Sequence, residues 1–311
     1  MERVYHYTTM SAFLSLLESI QKSSNRKSFV FRATNIFFLN DPQEFLYGQK
    51  VLMDVLSEIE VERNVDSDKC LSSLFKGRHD KNVEELLINL PNNIGNQNES
   101  PYVISFSRNS DSLPMWLNYG DRGRGICLAF AEYRSNFISD SFSPKDLADV
   151  KVEIYDRLGT HDVYYDARSI SYTDNSLREQ IVILYDYYLN EIKEASLGEI
   201  QELKIRYLRV FVEVAAPYIK TKYFEGEREV RLAEMVNETR DKRKKQVNFR
   251  CNAKGNIVPY IDIEIPTKQL DYIRLGPLVN KNITINVIEM MKKRFELEFG
   301  IKESEVIYRD Y

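Results

Sequence analysis

The chain begins with a run of residues, "VYHYTT" at positions 4–9, that could form one wall of a binding site. His6, one of three histidines, stands in a stretch of aromatic and β-branched residues that is typical of a strand. Tyr7 and Thr8 follow it with two hydroxyl groups. Two interpretations are open: His6 is a ring of the core, or the strand ends at a site where His6, Tyr7 and Thr8 contact a ligand.

A second stretch with chemical potential is "KYFEGEREVRLAEM". If it is a strand, Glu227, Glu229 and Arg231 share one face, spaced about 6.6 Å apart, while Val230 and Leu232 face the core. One interpretation is a solvated strand face with an alternating ion pair. The other is a carboxylate that a neighbouring arginine keeps ionised, ready to stabilise positive charge developing on a substrate.

Aromatic and basic side chains supply further candidates. The only tryptophan, Trp116, precedes Tyr119 in "MWLNY", a helical pair that is more typical of core packing than of a cofactor platform. "GDRGRG" contains Arg122 and Arg124 but lacks the order of a dinucleotide-binding fingerprint. The basic run at 240–250 indicates an exposed hairpin tip or a phosphate contact.

Composition narrows the class of protein. The 311 residues are 43% apolar and 29% charged, as in globular proteins with a core, and the net charge of −4 argues against a surface that binds nucleic acid throughout. No apolar run approaches the roughly 18 to 20 residues that cross a bilayer, and no signal peptide opens the chain. Three scattered cysteines form no disulfide or zinc pattern. We expect a cytoplasmic protein without membrane contact or metal.

Hydrophobic periodicity predicts an α+β fold with strands from both ends of the chain. A helix begins near Asp41, which is expected to cap it, with Glu44 as an acid of the first turn. Two long helical patterns at about 175–196 and 198–216 form a helical insertion (about 175–216) in a single domain over 1–311. Strands are also predicted for "IFFLN", for a pair between 150 and 173, and for "SEVIYRDY" at the end of the chain.

The order of several stretches resembles a known family, the bacterial domain of unknown function 2971. They are "YHYT" before an apolar helix, "FFLNDPQEF", "SFSRNSDSLPMWLNYGDRGRGICLAF", "EGEREVRL" and a closing "YIRLGP". A weaker resemblance links the chain to the ADP-ribosyltransferase-like superfamily, whose members combine a histidine on the first strand, an aromatic or serine, and a later Glu-x-Glu. His6 matches the first position and Glu227 with Glu229 the last, while Trp116 and Tyr119 are candidates for the middle one.

This second resemblance implies an ADP-ribosyltransferase-like split β-sheet core with helical insertions, and NAD as substrate. Glu229 would stabilise positive charge on the ribose, Glu227 would orient the acceptor, and Arg231 would keep the glutamate charged. His6 would hold the other ribose or a phosphate, and Thr8 would add a hydroxyl contact. The histidine is therefore interpreted as ligand-facing.

The resulting functional hypothesis is an NAD-dependent ADP-ribosyltransferase, a bacterial intracellular toxin or phage-defence effector that modifies a nucleic acid or a protein. The alternative is a non-catalytic module on the same scaffold that binds a nucleotide or nucleic acid. It would use Arg231, Arg122, Arg124 and the basic run at 240–250, and its affinity would fall steeply with salt.

Overall fold

The computed structural model describes residues 3–40, 44–76, 100–131, 167–169, 174–193, 195–236, 246–252 and 255–309. The strands in these ranges are β1 Arg3–Thr8, β2 Ser28–Asn35, β3 Ser100–Ser107, β4 Ile126–Ala131, β5 Ala167–Ser169, β6 Glu229–Val236, β7 Asn248–Cys251, β8 Ile257–Pro266, β9 Leu270–Leu275 and β10 Gly300–Glu303. The helices are α1 Met10–Ser19, α2 Glu44–Glu62, α3 Ser73–Lys76, α4 Leu113–Tyr119, α5 Asp174–Ile192, α6 Leu197–Val214 and α7 Lys281–Phe295. The predicted mixture of strands and helices is confirmed.

The described strands form one sheet in the order β10-β9-β4-β1-β3-β2-β8-β7, and β6 adds to the other edge of β3 and carries β5. The strand pairs are antiparallel except β10 with β9. Strands from both ends of the chain therefore belong to one sheet, with β1 near its centre and β7 to β10 towards its edges.

The sheet splits along one edge of β3. Strand β1 pairs with β3 only at its end, Tyr5 with Ser107, whereas β2 pairs with it only at Val103 and Tyr102. Residues 104–106 of β3 lie between these two contacts and pair with neither β1 nor β2. Since both strands run antiparallel to β3, they diverge from its middle and leave an opening in the sheet.

Each face of the sheet carries its own core. Val4, Phe106 and Val230 share one face with buried side chains of α1 and α7. On the opposite face, Val103 packs in a cluster with Phe45 of α2. A further apolar cluster joins α2, α5 and α6. The opening in the sheet thus lies between two packed layers.

The residues after β1 explain why helix α1 forms there. Thr9 caps it by accepting a hydrogen bond from the backbone N–H of Ala12 at 3.1 Å. Its apolar positions Phe13 and Leu17 are buried against the sheet, and so is Ile20 in the 3-10 turn that follows. This amphipathic helix was predicted, and so were the two long helices α5 and α6.

Three predicted strand assignments are wrong. "IFFLN" contains a 3-10 turn at Ile36–Phe38, since the Asn35 side chain accepts a hydrogen bond from the backbone N–H of Phe37 and ends the strand. The last strand is β10, and no strand follows it through residue 309. Glu227 lies in a 3-10 segment before β6 rather than in the strand itself. The cap at Asp41 and most of the pair between 150 and 173 lie outside the described residues.

Candidate functional site

A cavity of about 680 Å³ occupies the opening in the sheet. Residues 104–106 of β3, which pair with β6 but with neither β1 nor β2, line it together with parts of β1, β2 and α1. The sequence-predicted residues that line it are His6, Tyr7, Thr8, Tyr119, Glu227, Glu229 and Arg231. Pockets for small ligands commonly have volumes of roughly 300–1,000 Å³, so a nucleotide-sized molecule fits here.

His6 lies where β1 leaves β3. Its Nδ1 donates a hydrogen bond to the Ser105 carbonyl at 3.0 Å, and its half-buried ring makes edge contacts with Phe31 and Phe106, at centroid distances of 5.4 and 5.7 Å. Burial lowers the pKa of His6, although the bond to Ser105 opposes this. A carbonyl only accepts, so Nδ1 carries the proton in the neutral ring, and Nε2 is left as a hydrogen-bond acceptor.

His6 and the glutamates approach the cavity from opposite faces of the sheet. Tyr5 pairs with Ser107, which pairs with Glu229, so these three side chains share one face. His6 follows Tyr5 and therefore points to the other face, where it meets Phe106. The cavity contacts both His6 and Glu229 because β1 and β2 have parted there.

Five charged side chains form what we call the acid–base cluster: Glu44, Lys220, Glu227, Glu229 and Arg231. Lys220 Nζ lies 2.7 Å from Glu227 Oε2, 2.8 Å from Glu229 Oε2 and 3.6 Å from Glu44 Oε2. Arg231 donates from Nε to Glu229 Oε1 at 2.7 Å and from Nη2 to Oε2 at 3.1 Å, and it also pairs with Glu44. Three carboxylates thus share two cations.

Burial and charge act against each other in the acid–base cluster. Burial would raise the pKa of Glu229, but Arg231 and Lys220 outweigh it and hold that pKa at about 2. Burial would lower the pKa of Lys220, yet the neighbouring glutamates raise it above its usual value. For Glu44 burial prevails and its pKa is raised. Glu229 is therefore an ionised carboxylate at neutral pH.

The two glutamates of the Glu-x-Glu pair differ in exposure and in the number of hydrogen bonds that their carboxylate oxygens accept. Glu229 is 5% exposed and accepts three hydrogen bonds from Arg231 and Lys220. Glu227 is 15% exposed and accepts one from Lys220 and one from the Tyr119 hydroxyl, each at 2.7 Å. A carboxylate has about four acceptor positions, so Glu227 retains more capacity for a ligand.

A left-handed residue between Glu227 and β6 positions Glu227 in the acid–base cluster. Arg228 adopts a left-handed conformation (φ 45°), which ends the 3-10 segment and starts β6 one residue later. The Ser107 hydroxyl donates to the Glu227 carbonyl at 2.6 Å, and Asn109 Nδ2 donates to the Gly226 carbonyl at 2.9 Å. The end of β3 therefore holds the backbone around Glu227.

Trp116 is not among the residues that line the cavity, in contrast to Tyr119. It is fully buried, its Nε1 donates to Asp111 Oδ1 at 2.7 Å, and its ring meets Tyr7 edge-on at 4.8 Å. The Tyr7 hydroxyl in turn donates to the Asn109 carbonyl at 2.8 Å. The core-packing interpretation of Trp116 agrees with this geometry.

The glycines of "GDRGRG" serve close packing. A Cβ on Gly125 would lie 2.2 Å from the Thr8 carbonyl oxygen, and one on Gly276 would lie 2.4 Å from the Gly123 carbonyl oxygen. The loop therefore packs directly against β1 and the end of β9. Arg122 and Arg124 are exposed and do not line the cavity. Most of the basic run at 240–250 lies outside the described residues.

Two members of the acid–base cluster were missed as site residues. Glu44 was interpreted as an acid in the first turn of a helix, and Lys220 had no motif around it. Glu44 contacts residues far away in the chain, and Lys220 lies outside the strand whose alternation pointed to Glu229 and Arg231, so the strand pattern revealed neither. The available signal was the aromatic stretch "APYIKTKYF", which places Lys220 and Lys222 shortly before the glutamates.

The described ranges contain neither a metal site nor a membrane-spanning helix. There, no group of three histidine, cysteine, aspartate or glutamate side chains could hold a metal ion. No helix in the same ranges is long and apolar enough to cross a bilayer.

Comparison with known proteins gave one result. Neither the curated proteins nor the solved structures gave a match. The family model described as "Protein of unknown function (DUF2971)" matches residues 115–232, a segment that runs from α4 into β6 and contains Tyr119, Glu227, Glu229 and Arg231. The match supports the resemblance of this part of the chain to the DUF2971 family.

Proposed function

We propose that the protein is an NAD-dependent ADP-ribosyltransferase that acts inside a bacterial cell on a nucleic acid or a protein, as a toxin or phage-defence effector. The observation that carries this proposal is the split sheet, whose cavity is lined by a histidine with its Nδ1 bound to a carbonyl and by the Glu-x-Glu pair, in which Glu229 is held ionised by Arg231 and Lys220. The cavity volume of about 680 Å³ suits a dinucleotide.

The proposed reaction breaks the bond between the ribose C1′ and the nicotinamide nitrogen. The bonding electron pair leaves with nicotinamide, which becomes neutral, and positive charge develops on the ribose. A nucleophilic oxygen or nitrogen of the acceptor then bonds to C1′ and loses its proton to a carboxylate or to water. Carboxylates that are already ionised stabilise the charged transition state more than the ground state.

The hydrogen bonds in the acid–base cluster favour Glu227, rather than Glu229 as expected from the sequence, for the contact with the ribose. Glu227 has the larger exposure and the free acceptor capacity, so we assign it the contact with the ribose hydroxyl. Glu229 is bound by Arg231 and Lys220 and acts as a positioning residue, since it fixes Lys220 against Glu227.

His6 narrows the choice between ribose and phosphate. With its proton on Nδ1, the ring offers only an acceptor at Nε2, and phosphate oxygens also accept. A ribose hydroxyl can donate to Nε2, whereas a phosphate cannot. We therefore assign His6 and the neighbouring Thr8 to ribose hydroxyls.

The test measures release of nicotinamide and transfer of label from NAD in the presence of protein and nucleic acid acceptors. Glu227→Gln should lower kcat by about 100-fold or more with little change in KM, the size of effect seen when one group that stabilises transition-state charge is lost. Glu225→Gln is the matched control, because Glu225 is exposed in the same 3-10 segment. Glu229→Gln should lower kcat less and shift the acidic limb of the pH profile.

Equal nicotinamide release by wild type and Glu227→Gln would remove Glu227 from the reaction. No release by wild type with any acceptor would reject the transferase itself. A non-catalytic nucleotide-binding module is the second candidate, favoured by the occupied oxygens of Glu229. It predicts NAD binding in calorimetry with no turnover.

A further inference from the structure

Arg250, on strand β7, places a guanidinium at the cavity, and no carboxylate of the described ranges pairs with it. Its Nη2 donates to the Thr34 hydroxyl of β2 at 2.9 Å. Its Nε is enclosed by protein and has no acceptor among the described residues. Over those same residues no ion pair joins Arg250 to an acid, whereas Arg231 at the other side of the cavity has two. A half-buried cation held only by a hydroxyl has an uncompensated charge.

A second guanidinium adds to this charge. Arg32 also lines the cavity and stacks over the Tyr260 ring, with its Cζ 5.4 Å from the centroid. Burial lowers the pKa of Arg250, and the positive charge of Arg32 lowers it further. Asp262 is opposite Arg32 on β8 and compensates that arginine in part. The region around Arg250 and Thr34 therefore remains positive, which favours an anion.

The positive region and the acid–base cluster lie on the same face of the sheet but some distance apart. Arg250 reaches Thr34 on β2, which pairs with Val103, whereas Glu229 pairs with Ser107. The separation is two strand spacings across the sheet and four residues along β3, or roughly 15 Å between backbones. A free phosphate cannot span this distance, whereas the long side chains and an extended nucleotide together can.

We infer that Arg250, held by Thr34 and flanked by Arg32, binds a phosphate group of an extended nucleotide whose other end reaches the acid–base cluster. This deepens the proposed function and rests on it for the identity of the ligand. Guanidinium groups bind phosphate through two parallel, charge-assisted hydrogen bonds, which a threonine that fixes the side chain would help to align.

The experiment is isothermal titration calorimetry of ADP and of adenosine, which lacks phosphate, with the 311-residue chain. Arg250→Gln should weaken ADP binding about tenfold or more, in line with the loss of one charge-assisted contact, and leave adenosine affinity unchanged. Arg26→Gln is the matched control, because Arg26 is exposed on a turn and does not line the cavity. Thr34→Val, which frees the Arg250 side chain, should give a smaller loss, and it decides the question if Arg250→Gln does not fold.

Equal ADP affinities of wild type, Arg250→Gln and Thr34→Val would overturn the inference. Failure of wild type to bind ADP would overturn it as well, and nicotinamide release by the same preparation would show that the transferase proposal survives. Conversely, ADP binding that depends on Arg250 supports this subsite even if no nicotinamide is released. The two proposals therefore fail on different measurements.

Discussion

The substitution Lys220→Met tests how the acid–base cluster is held together. Methionine is unbranched and only one atom shorter, and it removes the charge, so three carboxylates would share Arg231 alone. Lys220 is 7% exposed, and its partners Glu227 and Glu229 are 15% and 5% exposed, so solvent screens little of the loss. Removing one member of a buried ion pair costs about 3–5 kcal/mol.

The pH dependence of this loss has a defined sign. In the wild type, the pKa of Glu229 is depressed from 4.5 to about 2, which corresponds to about 3 kcal/mol of stability. That stability is fully present above pH 4.5 and disappears as the pH falls through about 2. In Lys220→Met the excess carboxylates bind protons more readily, so the destabilisation is complete at high pH and is relieved as the pH falls.

Urea unfolding followed by fluorescence of Trp116, the only tryptophan, measures both effects. We expect Lys220→Met to lose about 3–5 kcal/mol at pH 8 and less than half of that at pH 4.5. Lys222→Met is the control, since Lys222 is exposed two residues away and should change stability by less than about 0.5 kcal/mol. Equal losses in the two variants, or a Lys220→Met loss that does not shrink in acid, would refute the reasoning.

Two further predictions concern packing and protonation. Gly48→Ala should destabilise the protein by about 1–3 kcal/mol, because the new Cβ would lie 2.3 Å from the Ala216 carbonyl oxygen. Gly198→Ala, whose Cβ would have nothing within 4 Å, should stabilise the protein by up to about 1 kcal/mol. Thermal melts measure both changes, and melting temperatures that shift in the same direction would contradict the prediction. Burial lowers the pKa of His6, and a ribose hydroxyl can donate a hydrogen bond only to an unprotonated Nε2. The affinity for ADP-ribose should therefore stay constant from pH 8 to 6.5 and fall only below that range. Tighter binding in acid would show that a charged imidazole is used.

Much of the local structure could be read from neighbouring residues. The apolar positions Phe13 and Leu17 of α1 and Ile20 just after it repeat with the helical period, and the capping Thr9 precedes them. The alternation of β6 correctly put Glu229 and Arg231 on the face opposite Val230. Helical and strand periods arise from contacts within a few residues, so a single sequence displays them.

The composition of the site depended on contacts between distant segments. Local patterns do not reveal that Lys220 and Glu44 complete a charge cluster with Glu229, or that Arg228 turns left-handed and moves Glu227 out of the strand. The opening in the sheet arises because β3 pairs with β1 at one end and β2 at the other, which is a property of long-range register. The contribution of Glu44 to the cluster and the open middle of the β3 edge exist only once the chain has folded, since Glu44 and strands β1, β2 and β3 are far from their partners in sequence.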